Sequence, residues 1–180
     1  GKGYNGYSNG NFFIGEDLSM FTWRMMEYAG VSDKGESLFY KNVNDEAGNI
    51  TGRETTTNHA EADYYITEES SAPKVYGGFG TKLKVYGVDF GINFTYQLGG
   101  KQYDGTYAYF MSSPYGTAGY NYHKDLLNSW TPENTNSNIP RFQMNDQYSG
   151  SMSTRFLTDA SFLNIQNINA GYTLPSKWTK

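Results

Sequence analysis

The sequence predicts an all-β chain of antiparallel strands with long polar loops. Two observations carry that prediction. The first is composition. Aromatic residues make up 17% of the chain, with 17 Tyr among them, and Gly supplies 21 of 180 residues. Mean hydropathy is nevertheless only −0.68. A chain rich in Tyr, Gly, Asn, Ser and Thr favours strands and turns, and one with this aromatic content is not of the disordered type. The second is strict alternation of apolar and polar residues in three stretches, the period of a strand with two unlike faces.

Taken in order, residues 1–11 are rich in Gly, Asn and Tyr and read as loop. Residues 12–30 hold the only helix-compatible content, around Leu18, Met20, Trp23, Met25 and Met26. Their spacing fits an amphipathic turn or an irregular packed loop equally well. Residues 31–72 are polar and acidic, with one short strand candidate at 37–41. From Val75 the pattern sharpens. Val75, Phe79, Leu83 and Val85 fall on one face, opposite Gly78, Gly80, Lys82 and Lys84. Tyr86-Gly87 is a tight-turn signal. After it, Val88, Phe90, Ile92, Phe94, Tyr96 and Leu98 alternate with Asp89, Gly91, Asn93, Thr95 and Gln97. That strand is long for a soluble sheet and matches the roughly 9–11 residues of a tilted transmembrane strand. Gly99-Gly100 ends the hairpin, and residues 101–158 form a long Tyr-, Asn- and Ser-rich stretch. Within it, residues 123–127 suit one helical turn, and the Pro- and Asn-rich run from Trp130 to Pro140 excludes regular structure. The third alternating stretch, residues 161–174, changes phase at Gln166-Asn167, which predicts a β-bulge. Pro175 stops it.

Several functions are excluded at this level. Net charge is −4, without a basic footprint for nucleic acid. There are no cysteines, so disulfides, thiolate metal sites and Cys nucleophiles are ruled out. Residues 31–70 hold nine acids against three bases, which reads as a solvated excursion. His59, Glu61 and Asp63 form a loose ligand cluster, and Asn42, Asn44, Glu46 and Gly48 faintly resemble a calcium loop. The latter has Glu at its third ligand position and Gly one place late, so both read as ordinary loop with no metal. The segment 77–82 lacks phosphate-loop spacing, and no Ser-His-acid arrangement exists, so no catalytic residue is assigned. No apolar run reaches the ~20 residues of a membrane helix. A β-barrel is then the remaining spanning option.

Alternation alone fits a barrel wall and a soluble sheet with one wet face equally well. The loop plan favours the barrel. A two-residue turn closes one end of the hairpin and a loop of nearly sixty residues leaves the other, the asymmetry of outer-membrane barrels. A soluble glycan-binding β module and a surface adhesin are the alternatives, suggested by the same Tyr- and Asn-rich loops.

Specific motifs go further. Pro73-Lys-Val-Tyr-Gly-Gly-Phe-Gly80, Tyr86-Gly-Val-Asp-Phe90 and Tyr96-Gln-Leu-Gly-Gly100 occur in that order. They are followed by Trp130-Thr-Pro-Glu-Asn-Thr-Asn-Ser-Asn-Ile-Pro-Arg141 and by a run from Ser153 to Pro175 that includes Asn164-Ile-Gln-Asn-Ile-Asn-Ala-Gly-Tyr172. Upstream, Ile14-Gly-Glu-Asp-Leu18 and Tyr28-Ala-Gly-Val31 fit the same order. Together these resemble the SusC/RagA family of TonB-dependent outer-membrane transporters, in the C-terminal region of the barrel. Asn164 and Gln166 depart from it, standing where family members often carry basic residues.

The resemblance implies an antiparallel transmembrane β-barrel segment with long extracellular loops, part of a large plugged barrel of roughly 22 strands. It implies the outer membrane of a Gram-negative bacterium, a SusD-like lipoprotein lid and oligosaccharide or peptide cargo. It also implies energy from TonB, engaged through an N-terminal part outside these residues. No cofactor is implied. Residues 1–72 become an extracellular region with a possible short helix or strand, 73–98 a transmembrane hairpin, and 99–158 a long extracellular loop. Residues 159–175 become a transmembrane strand and 176–180 a periplasmic turn. On that topology Phe79, Leu83, Val88, Phe90, Ile92, Phe94, Ile168 and Tyr172 face lipid. Lys82, Lys84, Asp89, Asn93, Thr95 and Gln97 face the lumen. Tyr103, Tyr107, Tyr109, Tyr120, Tyr122 and Trp130 are candidate loop contacts to cargo or lid, because aromatic faces offer large contact area at low entropic cost.

Overall fold

The computed structural model describes residues 4–112, 121–146 and 148–179. Among them are twelve strands: β1 (Gly6–Asn9), β2 (Phe12–Gly15), β3 (Thr22–Met26), β4 (Tyr28–Val31), β5 (Ser37–Asn44), β6 (Ile50–Thr56), β7 (Tyr64–Ser70), β8 (Val75–Val85), β9 (Val88–Leu98), β10 (Lys101–Tyr103), β11 (Leu157–Asp159) and β12 (Phe162–Tyr172). One short helix, α1 (Gly105–Phe110), and four single 3-10 turns complete them. The chain divides into two compact units, Gly1–Ser70 with Gln102–Thr158, and Ser71–Lys101 with Asp159–Lys180.

The first unit carries a four-stranded sheet in the order β1-β2-β3-β7 and a three-stranded sheet in the order β4-β5-β6. The ambiguous segment 12–30 is therefore three strands and not a helix. Trp23, Met25 and Met26 on β3 face the interior and are buried, with Phe13 on β2 and Phe39 on β5, whereas Met20 before β3 is exposed. The pairing of β3 with β7 slips between Thr22 and Arg24. That slip lets the neighbours Thr22 and Trp23 both be buried, so the alternation of a regular strand is lost there. The acidic excursion is likewise structured. β5 and β6 pair from Phe39↔Thr56 to Asn44↔Ile50, and Asp45 closes their turn by accepting from the backbone of Ala47 and Asn49 at 3.0 and 2.8 Å. The residues resembling a calcium loop are thus a hairpin tip.

A second cluster of the same unit forms around Ala108, Met111 and Phe156, with Tyr103, Tyr107, Leu126 and Ile139 packed on it. Asp104 caps α1 by accepting from the Tyr107 amide at 2.8 Å. The predicted helical turn is a 3-10 turn at Lys124–Asn128, capped by His123.

The second unit is one three-stranded antiparallel sheet in the order β12-β9-β8, each strand eleven residues long. β8 and β9 pair without slip from Val75↔Leu98 to Val85↔Val88. Their turn has φ +49 at Tyr86 and +83 at Gly87. Two successive positive φ values match the right-handed twist of the strands it joins. The predicted bulge is present: the register of β12 on β9 shifts between Ile165 and Asn167.

Candidate functional site

The bulge organises the faces of the second unit. Opposite Tyr96, Phe94, Ile92, Phe90 and Val88 stand Leu163, Ile165, Ile168, Ala170 and Tyr172. On β8, Phe79 pairs with Phe94 and Leu83 with Phe90. One extra residue at Gln166 therefore keeps Leu163, Ile165, Ile168, Ala170 and Tyr172 on the face shared by Phe79, Leu83, Phe90, Ile92 and Phe94, while Phe162, opposite Gln97, lies on the other. The Phe79 and Phe94 rings stack at 4.9 Å. Phe79, Leu83 and Ile168 remain 56%, 58% and 59% exposed, and Val88, Phe90 and Tyr172 are exposed as well. Ile92 and Phe94 on the central strand are half-buried by their neighbours.

The opposite face is mostly polar, with Phe162 and Tyr76 flanking Gln97 at one end. Lys84 stands across from Asp89, Lys82 from Gly91 and Gly80 from Asn93. Lys84 and Asp89 approach to 3.5 Å. Asn164, Asn167 and Asn169 extend that face onto β12 beside Thr95, Asn93 and Gly91. Gln97 donates to the Ala160 carbonyl at 3.1 Å, fixing the start of β12. All six residues of the polar set thus share one face, and all eight of the apolar set share the other.

The loop aromatics of the first unit divide into two kinds. Tyr103 and Tyr107 each meet Phe156 edge-on, at 6.2 and 6.1 Å. Tyr107 also donates to Asp125 at 2.8 Å and packs on His123. Burial raises the pKa of both tyrosines. Both are partly buried and pack on the α1 cluster. Trp130 is half-buried, its amide bonded to the Ile139 carbonyl. Its ring lies so close to Gly35, at φ +82, that a side chain there would meet it. By contrast Tyr109 is 60% exposed, and Tyr122 is exposed beside Phe142 at 4.9 Å. Tyr120 lies outside the described residues.

The remaining polar residues serve structure. Asp63 accepts from the Asn42 amide at 2.6 Å, and Glu61 from the Asn58 side chain at 3.0 Å. Arg53 lies between the Tyr40 and Tyr65 rings, 4.3 and 3.9 Å from their centres, and pairs with Glu27. Arg155 is largely buried beside Tyr28 and Phe156, and donates to the Ser149 carbonyl at 2.8 Å. Burial pushes the Tyr28 hydroxyl up to about 12.

One site went unread in the sequence. A cavity of about 400 Å³ opens in the first unit, walled by the start of β5, by Thr57 and Asn58, and by the segment that carries Arg141 and Tyr148. Its residues come from three separated stretches with no motif spacing.

Comparison with known proteins defines the class. No family model matches the chain. Over 101 residues it is 28% identical to TonB-dependent receptor P3 of Formosa agariphila, a match covering 56% of this chain and 9% of that receptor. Its fold is similar to a chain of the RagAB peptide importer in the open-open state, with a TM-score of 0.74 and 26% identity over 99% of this chain and 19% of the other. In sequence and in fold, then, the chain is similar to TonB-dependent receptors, and the likeness supports a fragment of the SusC/RagA type. It spans only the small shares of the matched proteins just given.

Proposed function

We propose that this chain forms part of the wall and mouth of a TonB-dependent outer-membrane importer. The observation that carries this reading is the second unit. It presents a continuous apolar face on three eleven-residue strands, and none of its hydrophobic side chains is among the buried ones. A monomeric soluble protein rarely exposes so large an apolar patch. Lipid is the medium in which it costs nothing, provided the backbone is paired within a closed barrel. On this reading Phe79, Leu83, Val88, Phe90, Ile92, Phe94, Ile168 and Tyr172 face acyl chains. Lys82, Lys84, Asp89, Asn93, Thr95 and Gln97 face the lumen.

The connections support the same orientation. β8 begins, β9 ends and β12 begins at one end of the sheet, and the tight turn lies at the other. Short turns mark the periplasmic side of such barrels and long excursions the extracellular side. Residues 1–72 and 99–158 are then extracellular, residues 176–180 periplasmic. A SusD-like lipoprotein would close over the extracellular region. TonB would supply energy through a part of the protein outside this chain, and cargo would be an oligosaccharide or a peptide. The chain itself has no catalytic role.

Cysteine scanning tests the assignment, since these residues contain no native thiol. Single Cys replacements at Phe79, Ile168, Lys82 and Asn93 are made in the full-length protein. In intact outer membranes, Lys82→Cys and Asn93→Cys should react with a water-soluble maleimide. Phe79→Cys and Ile168→Cys should react only with a lipid-soluble one. Equal labelling of all four by the water-soluble reagent rules out the membrane reading.

A further inference from the structure

Three side chains of the first unit meet at the start of the 3-10 turn Lys124–Asn128. His123 precedes the turn and caps it, its Nδ1 accepting from the Asp125 amide at 3.2 Å. The Asp125 carboxylate lies beside the same nitrogen, with Oδ2 at 3.4 Å from Nδ1. Tyr107 on α1 donates its hydroxyl to that oxygen at 2.8 Å, and its ring meets the imidazole edge-on at 4.8 Å. Backbone bonds hold the frame. The His123 amide donates to the Phe110 carbonyl at 3.0 Å, and the Leu126 amide donates to the His123 carbonyl at 3.1 Å.

An imidazole nitrogen accepts a hydrogen bond only while it carries no proton. Nδ1 therefore caps the turn in the neutral ring alone, with the ring proton on Nε2. A proton added to Nδ1 turns the acceptor into a donor. It ends the bond from the Asp125 amide and directs a charged N–H at a carboxylate already 3.4 Å away. Closing to the ~2.7–2.9 Å of a charge-assisted bond needs a movement of under ~1 Å. The ring thus has two partners in one residue, the amide when neutral and the carboxylate when charged. Histidine is the side chain whose charge ordinarily changes between about pH 5 and 8.

The other charges of the cluster stand further out. Lys124, within the turn, is exposed. Asp104, at the start of α1, and Arg155, on the 3-10 turn Thr154–Phe156, act on Tyr107 with opposite signs. Asp125 is the carboxylate in contact with the imidazole.

We infer that His123 is a proton-operated switch on this turn. Neutral, it caps Lys124–Asn128; protonated, it releases the Asp125 amide and pairs with the Asp125 carboxylate. The cap is then present above the histidine range and lost as pH falls through it. The turn carries Leu126, which packs on the α1 cluster, so proton uptake loosens that packing. The switch itself does not depend on the importer reading. Only its exposure to the external medium rests on that reading, and the maleimide labelling tests that separately.

Hydrogen exchange in the full-length protein in detergent tests the switch, between about pH 8 and about pH 4. It is read as the protection factor of the Asp125 amide, which divides out the pH dependence of the exchange chemistry. We expect that factor to fall tenfold or more on acidification, with a midpoint at about pH 6–7, the histidine range. The amides of Ala108 and Met111 should keep their protection through the same step. His123→Asn retains an acceptor in the place of Nδ1 and takes up no proton, so it should hold the Asp125 amide protected across that step. Four results overturn the inference: wild-type protection stays constant, its midpoint lies below about pH 5 where a carboxylate titrates, His123→Asn loses protection as wild type does, or Ala108 and Met111 lose theirs in step. Should His123→Asn fail to fold, the wild-type midpoint and the Ala108 and Met111 amides decide.

Discussion

The two units of this chain solve the problem of apolar surface in opposite ways. The first uses short, irregular strands and buries what they carry: Met25, Phe39, Met111 and Phe156 are at most 1% exposed. The second has long strands in near-perfect register and buries no hydrophobic side chain. Its backbone ladder is more regular, yet its side chains cover one another only in part. A soluble fold is normally held by burial, since each fully buried large apolar side chain contributes about 1.5–3 kcal/mol. The second unit lacks that contribution, so its stability has to come from whatever covers its apolar face.

The comparison is broken most sharply at Phe156, the centre of the α1 cluster. Phe156→Ala should cost ~3–5 kcal/mol, because the cavity left between Ala108, Met111 and Tyr107 cannot collapse. Hydrogen exchange in the full-length protein reads this directly, as lost protection at the amides of Ala108 and Met111, which bond to Asp104 and Tyr107. The same exchange at Phe79, on the open face, should cost clearly less. Equal losses would mean that Phe79 is buried in the assembled protein much as Phe156 is.

The contrast also explains what the sequence could and could not reveal. The second unit was legible because each of its signals is local. Alternation runs without error from Val88 to Leu98, Tyr86-Gly87 marks the turn, and a phase change at Gln166 marks the bulge. The first unit was not, because its signals are distributed. β6 is an exposed Ile-Thr-Gly-Arg-Glu-Thr-Thr run whose strand identity comes from pairing with β5 and from the hold of Tyr40 and Tyr65 on Arg53. β3 hides its alternation behind a bulge. The cavity is harder still, since Ser37, Asn58 and Tyr148 are brought together only by tertiary folding. Tyr103 and Tyr107 both pack on Phe156, a contact that no local spacing announces.

A second pair of substitutions sharpens the difference between the faces of the long sheet. Ile168 pairs with Ile92 near the middle of the strands, and Asn167, one residue away, pairs with Asn93 on the other face. Ile168→Arg should destabilise the full-length protein in lipid vesicles by ~2–4 kcal/mol, the cost of a cation at mid-bilayer on a barrel's lipid face. Asn167→Arg should cost under ~1 kcal/mol, because a lumen-facing cation stays in water. Urea unfolding in vesicles measures both. The reverse order would exchange the lipid and lumen faces.

The smallest effect lies at the turn, where the regular unit carries its own local cost. Tyr86 adopts φ +49 and is 97% exposed. A left-handed conformation disfavours a residue with a large side chain, and Asn-Gly is the pair this turn prefers. Nothing within the sheet compensates, because the ring is almost entirely free. Tyr86→Asn should therefore stabilise the hairpin in detergent by about 1 kcal/mol. In a bilayer the gain should be smaller, because aromatic residues at the rim of a barrel favour the membrane interface and Asn lacks that contribution. The difference between the two media isolates what the ring does. An equal gain in both would leave Tyr86 with strain alone and no interfacial role.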